Sequence, residues 1–334
     1  MAWSLNPPEA LKRVAKIFAI LAGGIIPISL AYSIEVKRLS PYLWIFPVCI
    51  TLACVLSSVE ILTGMPIYQL LHNPSADTGI NTSVLNRGIL TIIFSYLTCL
   101  FFIKGIKYDK YLTAIMSLSV VIMLCLTQSQ SAQLAFVIGI ATLFLFPARH
   151  ELSYKVLPLI ITLGLACSPL IVLMLFHFLG TSGQDMLWLK DGYAGNRSEI
   201  WNFVMEYALN NPWYGYGIEA TRFVEYFEHD HIYHKTNTVL HPHNFVVQLW
   251  MEFGLIGIAF TSTLFFAISR RISMATYIQK KHITSLYIPF ILIASISYGM
   301  WQSWWLGLIV YLIMLSILIT RTEASKDQQK NINN

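Results

Sequence analysis

Charge is scarce in this chain. Asp, Glu, Lys and Arg supply 12% of its 334 residues, where soluble domains carry roughly 25%. Together with 56% hydrophobic residues, that excludes an ordinary soluble fold and implies a polytopic membrane protein surrounded by lipid. The net charge is only +5, from 22 Lys and Arg against 17 Asp and Glu. The basic residues sit mostly in short segments between apolar runs, where they orient a chain in the bilayer and bind no nucleic acid. The five cysteines, Cys49, Cys54, Cys99, Cys125 and Cys167, lie inside apolar runs without CxxC or Cys/His metal spacing. They read as small packing residues, with neither a disulfide nor a zinc site implied. A Walker pattern and an internal repeat are also missing.

What is present is long apolar sequence. Runs near 14–33, 41–62, 85–103, 111–127, 131–147, 155–178, 243–269, 284–300 and 302–320 approach the 17 to 25 residues a bilayer-crossing helix needs. In lipid such runs must be helical, because a helix satisfies its own backbone groups and an open strand does not. The expectation is an all-α fold of about nine transmembrane helices. It forms a single membrane domain, 1–321, followed by a disordered cytoplasmic tail, 322–334. The first run lacks a small-residue cleavage site after it and reads as a retained span.

Lys104, Lys107 and Lys110, then Arg149 and Lys155, then Arg270, Arg271, Lys280 and Lys281, then Arg321, Lys326 and Lys330 fall on one side if the spans alternate. That side is cytoplasmic by the positive-inside rule, so the long loop 179–242 faces outward. Lys12, Arg13 and Lys16 break the pattern: nine spans with the tail inside place them outside.

The loop is too long for a simple connector. Trp188, Trp201, Phe203, Tyr207, Trp213 and Tyr216 give it apolar surface to bury, and Ile200, Trp201, Val204, Tyr207 and Ala208 have the spacing of an amphipathic helix over 197–210 with Arg197 in its first turn. Arg197 either snorkels to head groups, pairs with Glu199 or Asp191, or recognises a phosphate through its planar fork. Asn211-Pro-Trp-Tyr-Gly-Tyr-Gly217 reads as a helix stop and tight turn. His229, His231, His234, His241 and His243 form a histidine-rich tract, but without the i, i+4 pairing and carboxylate of a zinc protease site, so no metal is expected. His243 stands where the next span begins. It is either a hydrogen-bonded interfacial histidine or a base that takes a proton from a hydroxyl. Glu252, nine residues on in the same apolar run, lies near the same helix face, and a carboxylate that deep needs a partner or a role.

These residues resemble a known family. Arg197 with Trp201, Asn211-Pro212 with Gly215-Tyr-Gly217, and His243-Asn244 with Glu252-Phe-Gly254-Leu-Ile-Gly257 are similar to the signature region of the O-antigen ligase and O-antigen polymerase superfamily. Asn86-Arg87-Gly88 and Thr127 to Leu134 resemble earlier segments of it. The resemblance implies a metal-independent, cofactor-free membrane glycosyltransferase of the GT-C type in the bacterial inner membrane, with its site in a structured periplasmic loop. Its implied donor is an undecaprenyl-pyrophosphate-linked glycan and its acceptor a sugar hydroxyl of the lipid A core or another glycan. Carried over by position, Arg197 and His243 are the catalytic residues, holding pyrophosphate and acting as base. Arg87, Gln130, Tyr216, His241, Asn244 and Glu252 are substrate-binding candidates.

One departure stands out. The family commonly has Ser-Arg-Gly where this chain has Ser129-Gln130-Ser131, so either Arg87 supplies the missing charge from the neighbouring span or the chain handles a different donor. The chain is also shorter than expected of the ligase. The chemistry fits independently of the resemblance, since guanidinium groups stabilise a departing pyrophosphate and no Asp-x-Asp motif in the loop calls for a metal. Two alternatives stay open: the polymerase, and a lipid-glycan flippase or transporter. The latter is disfavoured by the large outer loop and the lack of an inverted repeat.

Overall fold

The computed structural model describes residues 4–72, 82–103, 108–182, 193–224 and 239–333. Among these residues the regular structure is helical, without a strand. The longer helices are α1 (Pro7–Ser33), α2 (Ile45–Leu62), α3 (Asn86–Phe102), α4 (Asp109–Leu126), α5 (Gln130–Leu145), α6 (Glu151–Ser182), α7 (Tyr193–Leu209), α8 (Phe245–Ser273), α9 (Tyr277–Ala294) and α10 (Ser303–Asn333).

Among the described residues, seven helices are long and apolar enough to cross a membrane: α1, α2, Thr82–Phe102, α4, Glu151–Phe178, α8 and Ser303–Arg321. Two of the nine expected runs differ. The run at 131–147 becomes α5, which is short for a span at 16 residues. The run at 284–300 starts early, at Tyr277, and stops at Ala294, because residues 295–302 leave the helix to serve other elements. The tail expected to be disordered is instead a helical continuation of α10 to Asn333. Its Glu, Ala, Lys and Gln residues are good helix formers, and propagation from an existing helix needs no new nucleus.

The chain forms two compact units. One comprises Met1–Leu21, Arg149–Ala275 and Ala294–Leu306, the other Ala22–Ala148, Thr276–Ile293 and Gly307–Asn334. In the second unit α2 packs on α3 and α4, and α3 packs on α5. Tyr96 meets Ser117 at 3.0 Å and Ser95 meets Tyr311 at 3.0 Å, pairing hydroxyls that are costly to leave unpaired in an apolar interior. Arg321 donates to the carbonyls of Ala31 and Ile34, both at 2.8 Å, so a cation satisfies acceptors at the C-terminal end of α1.

In the first unit α6, α7 and α8 pack against one another. Pro169 lies inside α6 and has no N–H for the carbonyl of Leu165. That carbonyl accepts instead from the indole of Trp250 on α8 at 3.0 Å and from Ser168 Oγ at 2.9 Å.

Helix α8 is itself broken. Gly254 has φ 56° and ψ −147°, a conformation almost exclusive to glycine. The break removes two helical bonds, Leu255 to Met251 and Ile256 to Glu252, and so frees two carbonyls and two N–H groups. All four find partners in the Asn211–Gly217 turn. Tyr216 N donates to Met251 O at 2.8 Å and Gly217 N to Glu252 O at 3.0 Å, while Leu255 N donates to Pro212 O at 2.7 Å and Ile256 N to Trp213 O at 3.1 Å. The turn has positive φ at Gly215 and Gly217, and a Cβ on Gly215 would sit 2.5 Å from the Glu252 backbone.

A Cβ at Gly254 would collide with the Pro212 carbonyl. Gly254→Ala is therefore expected to cost at least about 1–3 kcal/mol from backbone strain, read as a lowered thermal midpoint of the detergent-solubilised protein. Gly164→Ala, on α6 with open space around it, should leave the midpoint unchanged or raise it slightly.

Candidate functional site

Arg197 and His243 are fastened to consecutive carbonyls. Arg197 Nη1 donates to Ile296 O at 2.9 Å, and His243 Nδ1 lies 3.1 Å from Ser297 O. Helix α7 starts at Tyr193, earlier than expected, which puts Arg197 in its second turn. One turn further, Trp201 Nε1 donates to Pro242 O at 2.7 Å and so ties α7 to the His241-Pro-His-Asn stretch. Asn244 then caps α8, its Oδ1 accepting from Val246 N at 2.9 Å and Val247 N at 3.2 Å. His243 precedes the cap with φ 53°, a left-handed conformation uncommon for a residue other than glycine.

The Ser297 contact decides the histidine's tautomer. A carbonyl only accepts, so Nδ1 carries the proton and Nε2 of the neutral ring holds a lone pair. Burial holds this imidazole below the usual histidine range, the Ser297 carbonyl partly offsets that, and the Arg197 charge lowers it further. The ring is thus neutral at pH 7 and able to accept a proton at Nε2.

His241 packs beside it, with ring centroids 4.3 Å apart. Its Nε2 lies 2.9 Å from Gln302 Nε2, and Gln302 Oε1 accepts from Trp304 Nε1 at 2.6 Å. Gly299 makes room: a Cβ there would stand 2.8 Å from the His241 ring.

Glu252 is fully buried. Its Oε1 accepts from Gln248 Nε2 at 2.7 Å and Glu219 N at 3.0 Å, and its Oε2 from Trp301 Nε1 at 2.6 Å. Gln248 Oε1 in turn accepts from Met300 N at 2.8 Å. The carboxylate thus braces α8 against both the 217–219 turn and the 295–302 segment. Glu219 carries the network outward through Arg13, at 2.7 Å, and Arg222. Arg13, one of the three N-terminal basic residues that break the orientation pattern, therefore lies on the loop's side of the unit and is paired there. Tyr216 packs its ring on Tyr207, centroids 4.7 Å apart, and burial, with Tyr207 and Tyr214 nearby, raises its phenol above the ordinary tyrosine range.

The structure brings Arg197, His241, His243 and Asn244 together, and places Tyr216 and Glu252 at the α8 break in the same unit. Arg87 and Gln130 belong to the second unit. Arg87 is exposed in the first turn of α3, and Gln130 is exposed as the first residue of α5. Short connections on either side of α4 make α3 and α5 parallel, and they pack through Leu97 against Gly139, so the two side chains start neighbouring helices at one end. His229, His231, His234, Trp188 and Asp191 lie outside the described residues.

Sequence reasoning missed Gln248, Trp301 and Gln302, together with the carbonyls of Ile296 and Ser297. The available signal was Tyr298-Gly-Met-Trp-Gln-Ser-Trp-Trp305, a glycine, an amide and clustered aromatics where a span was drawn.

Residues 113–262 match the family model described as O-Antigen ligase. Relatives named by inference as polysaccharide ligases occur in Rickettsia typhi (23% identity over 252 residues, 73% of this chain and 60% of the relative) and Rickettsia conorii (24% over 226 residues, 64% and 53%). Another, in Rickettsia prowazekii, is 23% identical over 257 residues, covering 73% and 60%. The chain spans about three fifths or less of the length of these relatives. No solved structure matches it. The family match takes in Gln130, Arg197, Tyr216, His241, His243, Asn244 and Glu252, and together with these relatives it supports the O-antigen ligase superfamily that the motifs resemble.

Proposed function

We propose that the chain is an O-antigen ligase-type glycosyltransferase of the bacterial inner membrane, moving a glycan from undecaprenyl pyrophosphate to a sugar hydroxyl of lipid A core at the periplasmic face. The observation that carries this reading is the anchoring of Arg197 and His243 on the adjacent carbonyls of Ile296 and Ser297. A cation suited to phosphate and a neutral imidazole with its Nε2 lone pair are thereby held at one place.

The acceptor hydroxyl gives its proton to His243 Nε2 as its oxygen bonds to the anomeric carbon. The bond from that carbon to the pyrophosphate oxygen breaks, and the electron pair leaves on the pyrophosphate. Arg197 stabilises that developing charge where lipid and protein exclude water. Attack from the face opposite the leaving group inverts the anomeric centre. Asn244 positions His243 by fixing the start of α8, Glu252 positions the segment bearing both carbonyls, and Tyr216 and His241 offer hydrogen bonds to the glycan. No step needs a metal, so transfer should persist in EDTA.

In proteoliposomes supplied with lipid-linked glycan and core acceptor, His243→Ala should lower transfer by about 10²–10⁴-fold with membrane insertion intact. Full activity of that variant would remove the base. Arg197→Lys should lose about 10²-fold or more, since an ammonium does not reproduce the fork. Because His243 is held below the usual histidine value of about 6.5, it stays neutral as the pH falls through that value. The acidic fall-off in rate should therefore have its midpoint below pH 6.5, and a midpoint above it would contradict the assignment. Elongation of lipid-linked repeats without transfer to core would identify a polymerase instead.

A further inference from the structure

Two imidazoles stand side by side in this site, and the hydrogen bonds around them distinguish the rings. Trp304 Nε1 only donates, so the amide oxygen of Gln302 faces it at 2.6 Å. The amide nitrogen therefore faces His241 Nε2 at 2.9 Å and donates to it. An Nε2 that accepts carries no proton, which leaves the proton of His241 on Nδ1. The amide itself is held in place, since Trp304 is packed between the rings of Tyr298 and Trp305, with centroids 4.7 and 5.3 Å away. It is not free to flip and present its oxygen to the histidine.

We propose that Gln302 is a positioning residue that locks His241 as the neutral, Nδ1-protonated imidazole, so that His243 is the one ring of the pair that takes up a proton. The second clause rests on the proposed transfer reaction; the first does not. With centroids 4.3 Å apart, two imidazolium rings would repel, and a cation at His241 would make His243 a poorer base. The surrounding elements supply the charge balance. Arg197 of α7 already acts on His243 as a positive charge. The 295–302 segment brings no charged residue, only Tyr298 as a titratable group, and α8 brings none before Glu252. Helix α7 also brings the carboxyls of Glu199, which is buried, and Glu206, and protonation of His241 is opposed by an amide N–H aimed at the atom the proton would occupy.

The test uses the full chain in lipid nanodiscs with 15N-labelled histidine, His241 being assigned by difference against His241→Asn. The expected spectrum at pH 7 shows His241 neutral with its proton on Nδ1. In Gln302→Glu a carboxylate accepts from both Trp304 and His241 Nε2, so the His241 titration should move up by about 1–3 pH units. The acidic limb of the transfer rate should move up with it. A wild-type His241 protonated on Nε2, or cationic at pH 7, overturns the proposal, as does an unchanged His241 titration in Gln302→Glu. The spectra are independent of turnover: the expected tautomer in a protein that transfers no glycan would refute the proposed reaction and leave the lock standing.

Discussion

Backbone groups inside an apolar helix bundle must be hydrogen-bonded within the protein, and the exchange between α8 and the Asn211–Gly217 turn meets that requirement at the one place where α8 violates it. Each group left unsatisfied in a lipid-like setting costs several kcal/mol, so four such groups would make the Gly254 break untenable alone. The turn cancels that cost bond for bond. In return it is held against a transmembrane helix, although its own sequence contains little besides glycine, proline and aromatic residues.

From that junction the rest of the site follows. The turn delivers the Glu219 amide to Glu252, and Glu252 also grips Trp301. Gln248, one helical turn earlier, holds Met300 N. Residues 295–302 are thus suspended between α9 and α10 by two side chains of α8, with their carbonyls turned to Arg197 and His243 and the amide of Gln302 turned to His241. A buried carboxyl group with three donors is a brace of high stakes, because removing any partner leaves a polar group short of hydrogen bonds in a low-dielectric interior.

Much of this was legible in the residues. Apolar length announced the helices, and the concentration of arginine, histidine and glycine in one polar stretch pointed to the residues that the fold gathers around Ile296 and Ser297. The order of Arg197, the Asn-Pro and Gly-Tyr-Gly turn, His243 and Glu252 carried the family resemblance that the comparisons bear out. What hydropathy could not reveal was backbone geometry. Gly254 sits in an unbroken apolar run, so its left-handed conformation leaves no trace in a period count, and residues 295–302 are apolar enough to pass for the end of a span. Glu252 could be recognised as needing partners, but those partners are donors from distant segments that only the fold brings near. The polar tail misleads in the opposite direction, since low hydropathy suggests disorder where residues of high helix propensity extend an anchored helix.

The indole bond from Trp250 to the carbonyl that Pro169 strands on α6 has a mechanical consequence. It pins α8 to α6 at a fixed axial register, since sliding either helix by even an ångström or two would stretch a 3.0 Å contact past useful length. Piston-like travel of the site-bearing end of α8 is thereby suppressed. The compliance left to this helix lies on the far side of the glycine, while Gln248 and Glu252, which hold residues 295–302, keep their depth against α6.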